Sequence, residues 1–97
     1  MIVSTHPLAA DELVDGALFY ANEANANLGE GFIAEFERSI GLLRAFPKIG
    51  APWRGVFRRL RLRRFPYSIV YYLSGDTLRV IALAHHKRKP GYWRRRR

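Results

Sequence analysis

The feature that most constrains the fold of this chain is a change of hydrophobic period between Pro47 and Gly55. Before Pro47 the apolar residues recur every three or four positions; after Gly55 they alternate. A spacing of three to four gathers side chains on one face of a helix, and a spacing of two gathers them on one face of a sheet. The first half is therefore predicted to be helical and the second half to form strands.

In the first half, Leu13, Ala17, Tyr20, Ala21 and Ala24 mark an amphipathic helix from Pro7 to about Asn27. Thr5-His6-Pro7 reads as its entrance: Thr or His can cap, Pro tolerates an early helical position, and Asp11 and Glu12 suit the positive end of the macrodipole. Asn25-Ala26-Asn27-Leu28-Gly29 is the predicted break. Phe32, Phe36, Ile40 and Leu43 then mark a second helix, from about Glu30 to Ala45, which Pro47 stops. A break this short implies an antiparallel hairpin.

Pro47–Gly55, with two prolines and two glycines, is expected to be a surface loop. In Val56–Arg64, Leu60 and Leu62 fall on one face, and Phe57, Arg59, Arg61 and Arg63 on the other. Phe65–Leu73 is rich in aromatic and β-branched residues, so Phe65, Tyr67, Ile69 and Tyr71 are expected in the core, with Pro66 at a strand start. Beyond the turn Ser74-Gly75-Asp76, the alternation of Leu78, Val80, Ala82 and Ala84 predicts one face of a third strand. Ile2–Ser4 suits a short edge strand. Short turns force antiparallel pairing. The expectation is an α+β fold, in which an N-terminal helix hairpin packs on a small, mainly antiparallel sheet followed by a short basic segment. Residues 1–97 are expected to form a single domain.

Charge is divided along the same line. The first 37 residues carry seven acids and no Lys or Arg; the remaining 60 carry all 17 basic residues and one acid, Asp76. The halves therefore stand at −7 and +16 within a net charge of +9. Such asymmetry calls for a polyanionic partner of the second half. A membrane surface is a poor candidate, because both predicted helices carry acids and not bases. No apolar run approaches the ~20 residues that span a bilayer, and Met1–Glu37 lacks the basic start of a secretion signal, so a cytoplasmic protein is expected. The absence of cysteine excludes thiol chemistry and a disulfide scaffold. His85-His86 lacks a third ligand at suitable spacing, so neither metal nor other cofactor is expected.

With this order of elements, Arg64-Phe65-Pro66-Tyr67 followed by Ile69 and Tyr71, and His85 followed by Arg88, Pro90, Tyr92 and Trp93, the chain resembles the RelE/ParE superfamily along essentially its whole length. The resemblance implies the toxin of a type II toxin–antitoxin pair, held as a hetero-oligomer by a cognate antitoxin with an acidic or amphipathic segment. It leaves two targets open. The RelE branch cuts mRNA on the ribosome, and the ParE branch poisons DNA gyrase.

Metal-free RNA cleavage needs a base, an acid and cations around the phosphate. The resemblance places such groups at Arg59, Arg61, Arg88 and Tyr92, with His85 or His86 as the acid–base group. Adjacent residues of an extended segment point to opposite faces, so only one histidine can join a shared site. Ser68 stands where the ribosome-dependent nucleases carry an arginine, and a neutral hydroxyl does not replace a guanidinium there. Arg-Phe-Pro-Tyr and the Arg-x-Pro-x-Tyr-Trp ending favour the ParE branch. That branch acts by binding, which makes Arg88, Tyr92, Trp93, Arg94 and Arg95 the candidate gyrase contacts, residue types common in hot spots. Whether the chain is an enzyme follows from the branch. A third reading, from another class, is a non-toxic nucleic-acid-binding module with a basic sheet face and salt-sensitive affinity.

Overall fold

A computed structural model describes residues 1–97. The chain runs β1 (Ile2–Thr5), α1 (Pro7–Glu23), α2 (Ala26–Ala45), β2 (Ala51–Pro52), β3 (Arg58–Arg61), β4 (Tyr67–Ser74) and β5 (Thr77–His85). The five strands form one sheet in the order β1-β5-β4-β3-β2. β1 lies parallel to β5 at one edge, and every other pairing is antiparallel. The α+β architecture, with its helix hairpin and mainly antiparallel sheet, is the one expected from the sequence.

Both helices start on side-chain caps. His6 Nδ1 accepts the Leu8 N–H at 3.0 Å, and Asn25 Oδ1 accepts that of Leu28 at 2.9 Å. The break is thus shorter than expected, and α2 begins at Ala26 and not near Glu30. Gly29 is not part of the break. It sits buried within α2, where an added Cβ would lie 2.7 Å from the Ala17 carbonyl oxygen; at Gly16 of α1, a Cβ would meet the Phe32 ring at 2.5 Å. These two glycines let the helix backbones come close.

The segment expected to be loop, Pro47–Gly55, contains the two-residue strand β2, which pairs Ala51 with Arg59 and Pro52 with Arg58. Tyr71 ties the segment down: its hydroxyl donates to the Pro47 carbonyl at 2.7 Å and accepts the Gly50 N–H at 3.0 Å. Burial raises the Tyr71 pKa, so the phenol keeps the proton it donates. On α2, Glu35 accepts the Arg63 N–H at 2.6 Å and pairs with Arg38 at 2.8 Å, fastening the hairpin to the β3–β4 turn.

The sheet has a core on each face. Against the helices lie Leu62, Phe65, Tyr67, Ile69, Tyr71, Leu78, Val80 and Leu83, packed on Ala9, Ala17, Phe32, Phe36 and Leu43. On the other face, Phe57, Val70, Ile81, Ala82 and Ala84 pack around Trp93. The C-terminal segment is therefore a third layer.

One expectation about facing is corrected. Leu78, Val80, Ala82 and Ala84 do not share a face, because Val70 pairs with Ala82 and Tyr71 with Val80, leaving Ile81 as an extra residue in β5. Such a bulge sets two residues against one and reverses the alternation beyond it. Leu78 and Val80 face the helices, whereas Ala82 and Ala84 face Trp93.

Candidate functional site

The bulge decides where the two histidines go. His85 pairs with Tyr67 on the helix side, their rings 4.9 Å apart. His86 comes off the strand toward the opposite face, where its Nε2 lies 2.9 Å from the Ser68 hydroxyl. Ser68 is almost fully buried. Burial lowers the His86 pKa, and the nearby Arg61 lowers it further, so the ring is neutral near pH 7. Arg61 pairs with Ser68 across β3 and β4, and two residues earlier Arg59 lays its guanidinium 4.3 Å from the centre of the Trp53 ring. Arg59, Arg61 and His86 thus gather on the face away from the helices.

Tyr92 and Arg88 belong to a different cluster, organised by Glu12 of α1. The Tyr92 hydroxyl donates to Glu12 Oε2 at 2.5 Å. Arg96 donates to both carboxylate oxygens, at 2.8 and 3.2 Å, and to the Ile81 carbonyl at 3.2 Å. The Arg88 guanidinium lies 3.9 Å from the centre of the Tyr92 ring and 4.0 Å from Glu12. Glu12 also accepts the Leu83 N–H at 3.1 Å. β1 covers β5 only from Thr77 to Val80, so Glu12 and Arg96 satisfy backbone groups on the edge that β1 leaves open.

Burial and the Glu12 hydrogen bond push the Tyr92 pKa far above its ordinary value. A phenol held in this way neither gives up nor takes a proton near neutral pH. From the sequence, Glu12 is expected only to favour the α1 macrodipole, and this role is missed. Glu12 lies past the first turn and reaches the tail, 80 positions away at Tyr92. No local pattern signals a partner so distant.

Arg59, His85, His86, Arg88 and Tyr92 line one small cleft, but they do not share one hydrogen-bond network. His86 bonds to Ser68, the His85 ring packs on Tyr67, and Arg88 and Tyr92 are bound up with Glu12 at the sheet edge. Trp93, expected at a target-binding surface, is instead fully buried against Phe57, Val70 and Ile81, where it anchors the tail. Arg94 and Arg95 are exposed, whereas Arg96 is one half of a largely buried ion pair. Beside the Glu12 cluster, a cleft of about 280 Å³ runs between α1 and β5, lined by Asp15, Phe19, Tyr67, His85 and Arg88 among others. No three His, Asp or Glu side chains are placed to hold a metal ion, and no helix is long and apolar enough to cross a membrane.

The family model described as "ParE toxin of type II toxin-antitoxin system, parDE" matches residues 3–90. The chain belongs to the ParE toxin family. Its fold is similar to a solved structure described as "Chromosomal ParDE TA system from P. aeruginosa", with a TM-score of 0.78 at 17% sequence identity over 88% of this chain and 95% of that one. At that identity the likeness speaks for the fold. No curated protein matches the chain by sequence. The ParE match contains Glu12, Arg59, His86 and Arg88 and ends before Tyr92, Trp93 and the four terminal arginines. In this ParE toxin the Glu12 cluster therefore joins a residue of the family region to a C-terminal segment beyond it.

Proposed function

We propose that this ParE-family chain arrests growth by binding and poisoning DNA gyrase, and that a cognate antitoxin neutralises it. The observation that carries this reading is the state of Tyr92: it lines the same cleft as Arg59 and His86, but its proton is committed to Glu12. That favours a binding function over an acid–base one. The exposed Arg94 and Arg95, with Arg88, are the proposed gyrase contacts; Tyr92 and Trp93 hold the segment that presents them. Family membership and the likeness to the ParDE TA system of P. aeruginosa support an antitoxin partner. α1 leaves Val14, Leu18 and Phe19 about half exposed, with Phe19 in the wall of the cleft between α1 and β5, apolar surface suited to an amphipathic segment.

The test is induction without antitoxin, followed by pulse-labelling of DNA and protein synthesis and a supercoiling assay with purified gyrase. DNA synthesis should stop first, and supercoiling should be inhibited. A second reading, ribosome-dependent mRNA cleavage, is favoured by one observation, the neutral His86 beside Arg61. Under it, protein synthesis stops first and gyrase is unaffected.

A further inference from the structure

The cleft between α1 and β5 differs in charge from the basic tail beside it. Glu12 and Asp15 line it together with the rings of Phe19, Tyr67 and His85, and its volume is about 280 Å³. Glu12 is already met by Arg96 and, at 4.0 Å, by Arg88, the one Lys or Arg in the wall. Asp15 has no base within ion-pair distance, and neither has Asp11 four residues earlier. In a chain with 17 basic residues, these two acids stand exposed and unpaired on α1.

Tyr67 adds an independent sign. The residue is only 9% exposed, and its hydroxyl has no hydrogen-bond partner within the chain. That hydroxyl is not sealed in the core, and Tyr67 lines this cleft. Burial raises its pKa, and Tyr20 and the cleft carboxylates Asp15 and Glu12 raise it further. Buried polar groups are almost always paired, so a phenol left open on a cleft calls for a partner that arrives from outside.

Size and surroundings define that partner. The volume falls just below the roughly 300–1,000 Å³ of small-molecule sites, which suits one side chain of a larger molecule. Leu18 and Phe19 follow Asp15 at three and four residues, so they neighbour it on the helix surface, and both are about half exposed. A free carboxylate, an open phenol oxygen and an aromatic ring together fit a guanidinium, whose planar fork donates to oxygens and stacks on rings.

We propose that the cleft receives an arginine side chain carried by an amphipathic antitoxin segment that covers the exposed apolar side of α1. Asp15 supplies the opposing charge, the Tyr67 hydroxyl accepts a guanidinium N–H, and Phe19 offers its ring. The occupant rests on the antitoxin partner proposed above and adds a demand to it: a segment whose acids suit the basic half must carry a base where it crosses α1.

Backbone amide shifts of the purified full-length chain are followed by NMR during titration with N-acetylarginine amide and with N-acetylcitrulline amide, which has nearly the same shape without the charge. The arginine probe should give saturable shifts at Asp15, Gly16 and Leu83, and the citrulline probe should bind at least tenfold more weakly. Asp15→Asn should weaken the arginine probe at least fivefold with a nearly unchanged melting temperature. Tyr67→Phe should weaken it at least twofold without lowering the melting temperature, because the hydroxyl it removes has no partner in the free chain. No saturable shift, equal binding of citrulline, or unchanged affinity in Asp15→Asn overturns the site. A dimer in sedimentation velocity that Asp15→Asn dissolves also overturns it, since the occupant is then an arginine of a second copy. Neither gyrase nor antitoxin enters the titration, so a failure of the growth-arrest reading shows separately, in the pulse-labelling.

Discussion

Glu12 of the first helix and Arg96, next to the last residue of the chain, face each other at 2.8 Å with their side chains only 14% and 13% exposed. The same carboxylate takes the Tyr92 hydroxyl and the Leu83 N–H. One acid from the acidic half of the sequence thus closes a sheet edge and fixes the basic tail over the opposite sheet face. The charge asymmetry has an internal use as well as an external one.

Removing that acid is expected to be costly. Glu12→Ala leaves a largely buried guanidinium, a phenol and a backbone N–H without their acceptor, and breaking a buried pair in this way costs about 3 kcal/mol. Denaturant unfolding of the variant measures the loss. Hydrogen exchange at the Leu83 amide should accelerate by more than the global destabilisation explains; an unchanged Leu83 rate relative to its neighbours would contradict the edge-capping role.

Tyr92→Phe separates structure from chemistry. Loss of a hydrogen bond to a charged acceptor should cost about 2 kcal/mol. Toxicity should survive, because the hydroxyl is assigned no part in a reaction. The native tyrosine also sets a pH dependence. Its folded pKa lies above the unfolded value of about 10, so its stabilisation is complete below that pH and is lost as pH rises through and beyond it. The wild-type melting temperature should therefore fall more steeply than that of Tyr92→Phe above pH ~10.

His86 gives the opposite sign. Its folded pKa lies below the unfolded value of about 6.5, so the unfolded chain binds the extra proton and stability falls as pH drops below that value. Melting curves between about pH 5 and 7.5 should show this loss in the wild type and a weaker one in His86→Asn.

The glycines of α2 should respond unequally to alanine. At Gly29 the new methyl meets the Ala17 carbonyl oxygen, and such overpacking typically costs about 1–3 kcal/mol, so about 2 kcal/mol is expected. At Gly41, where a Cβ would meet nothing within 4 Å, alanine should stabilise by roughly 0.5–1 kcal/mol through helix propensity. Paired thermal unfolding curves check both.

The proposed gyrase contacts are best tested without disturbing the anchors. Arg94→Glu with Arg95→Glu changes two exposed side chains and should leave the melting temperature nearly unchanged while lowering gyrase inhibition at least tenfold. Retained inhibition would remove these residues from the interface.

The sequence by itself determined the kind and order of the elements apart from the two-residue strand β2, the hairpin, and most of the helix-side core. Phe32, Phe36 and Leu43, and Tyr67, Ile69 and Tyr71, are read correctly because hydrophobic period is a local property of a helix or an uninterrupted strand. Three matters were left to the tertiary structure. The extra residue Ile81 reversed the alternation of β5 and sent His85 and His86 to the faces opposite those that uninterrupted alternation assigns, because a parity count fails past a single insertion. Trp93 looked like a surface hot spot until the second sheet face supplied apolar neighbours that only the folded tail can reach. Glu12 drew no attention as a partner of Tyr92 and Arg96, since contacts spanning 80 and 84 positions have no period and no local spacing; they exist only once helix, sheet edge and tail are brought together in space.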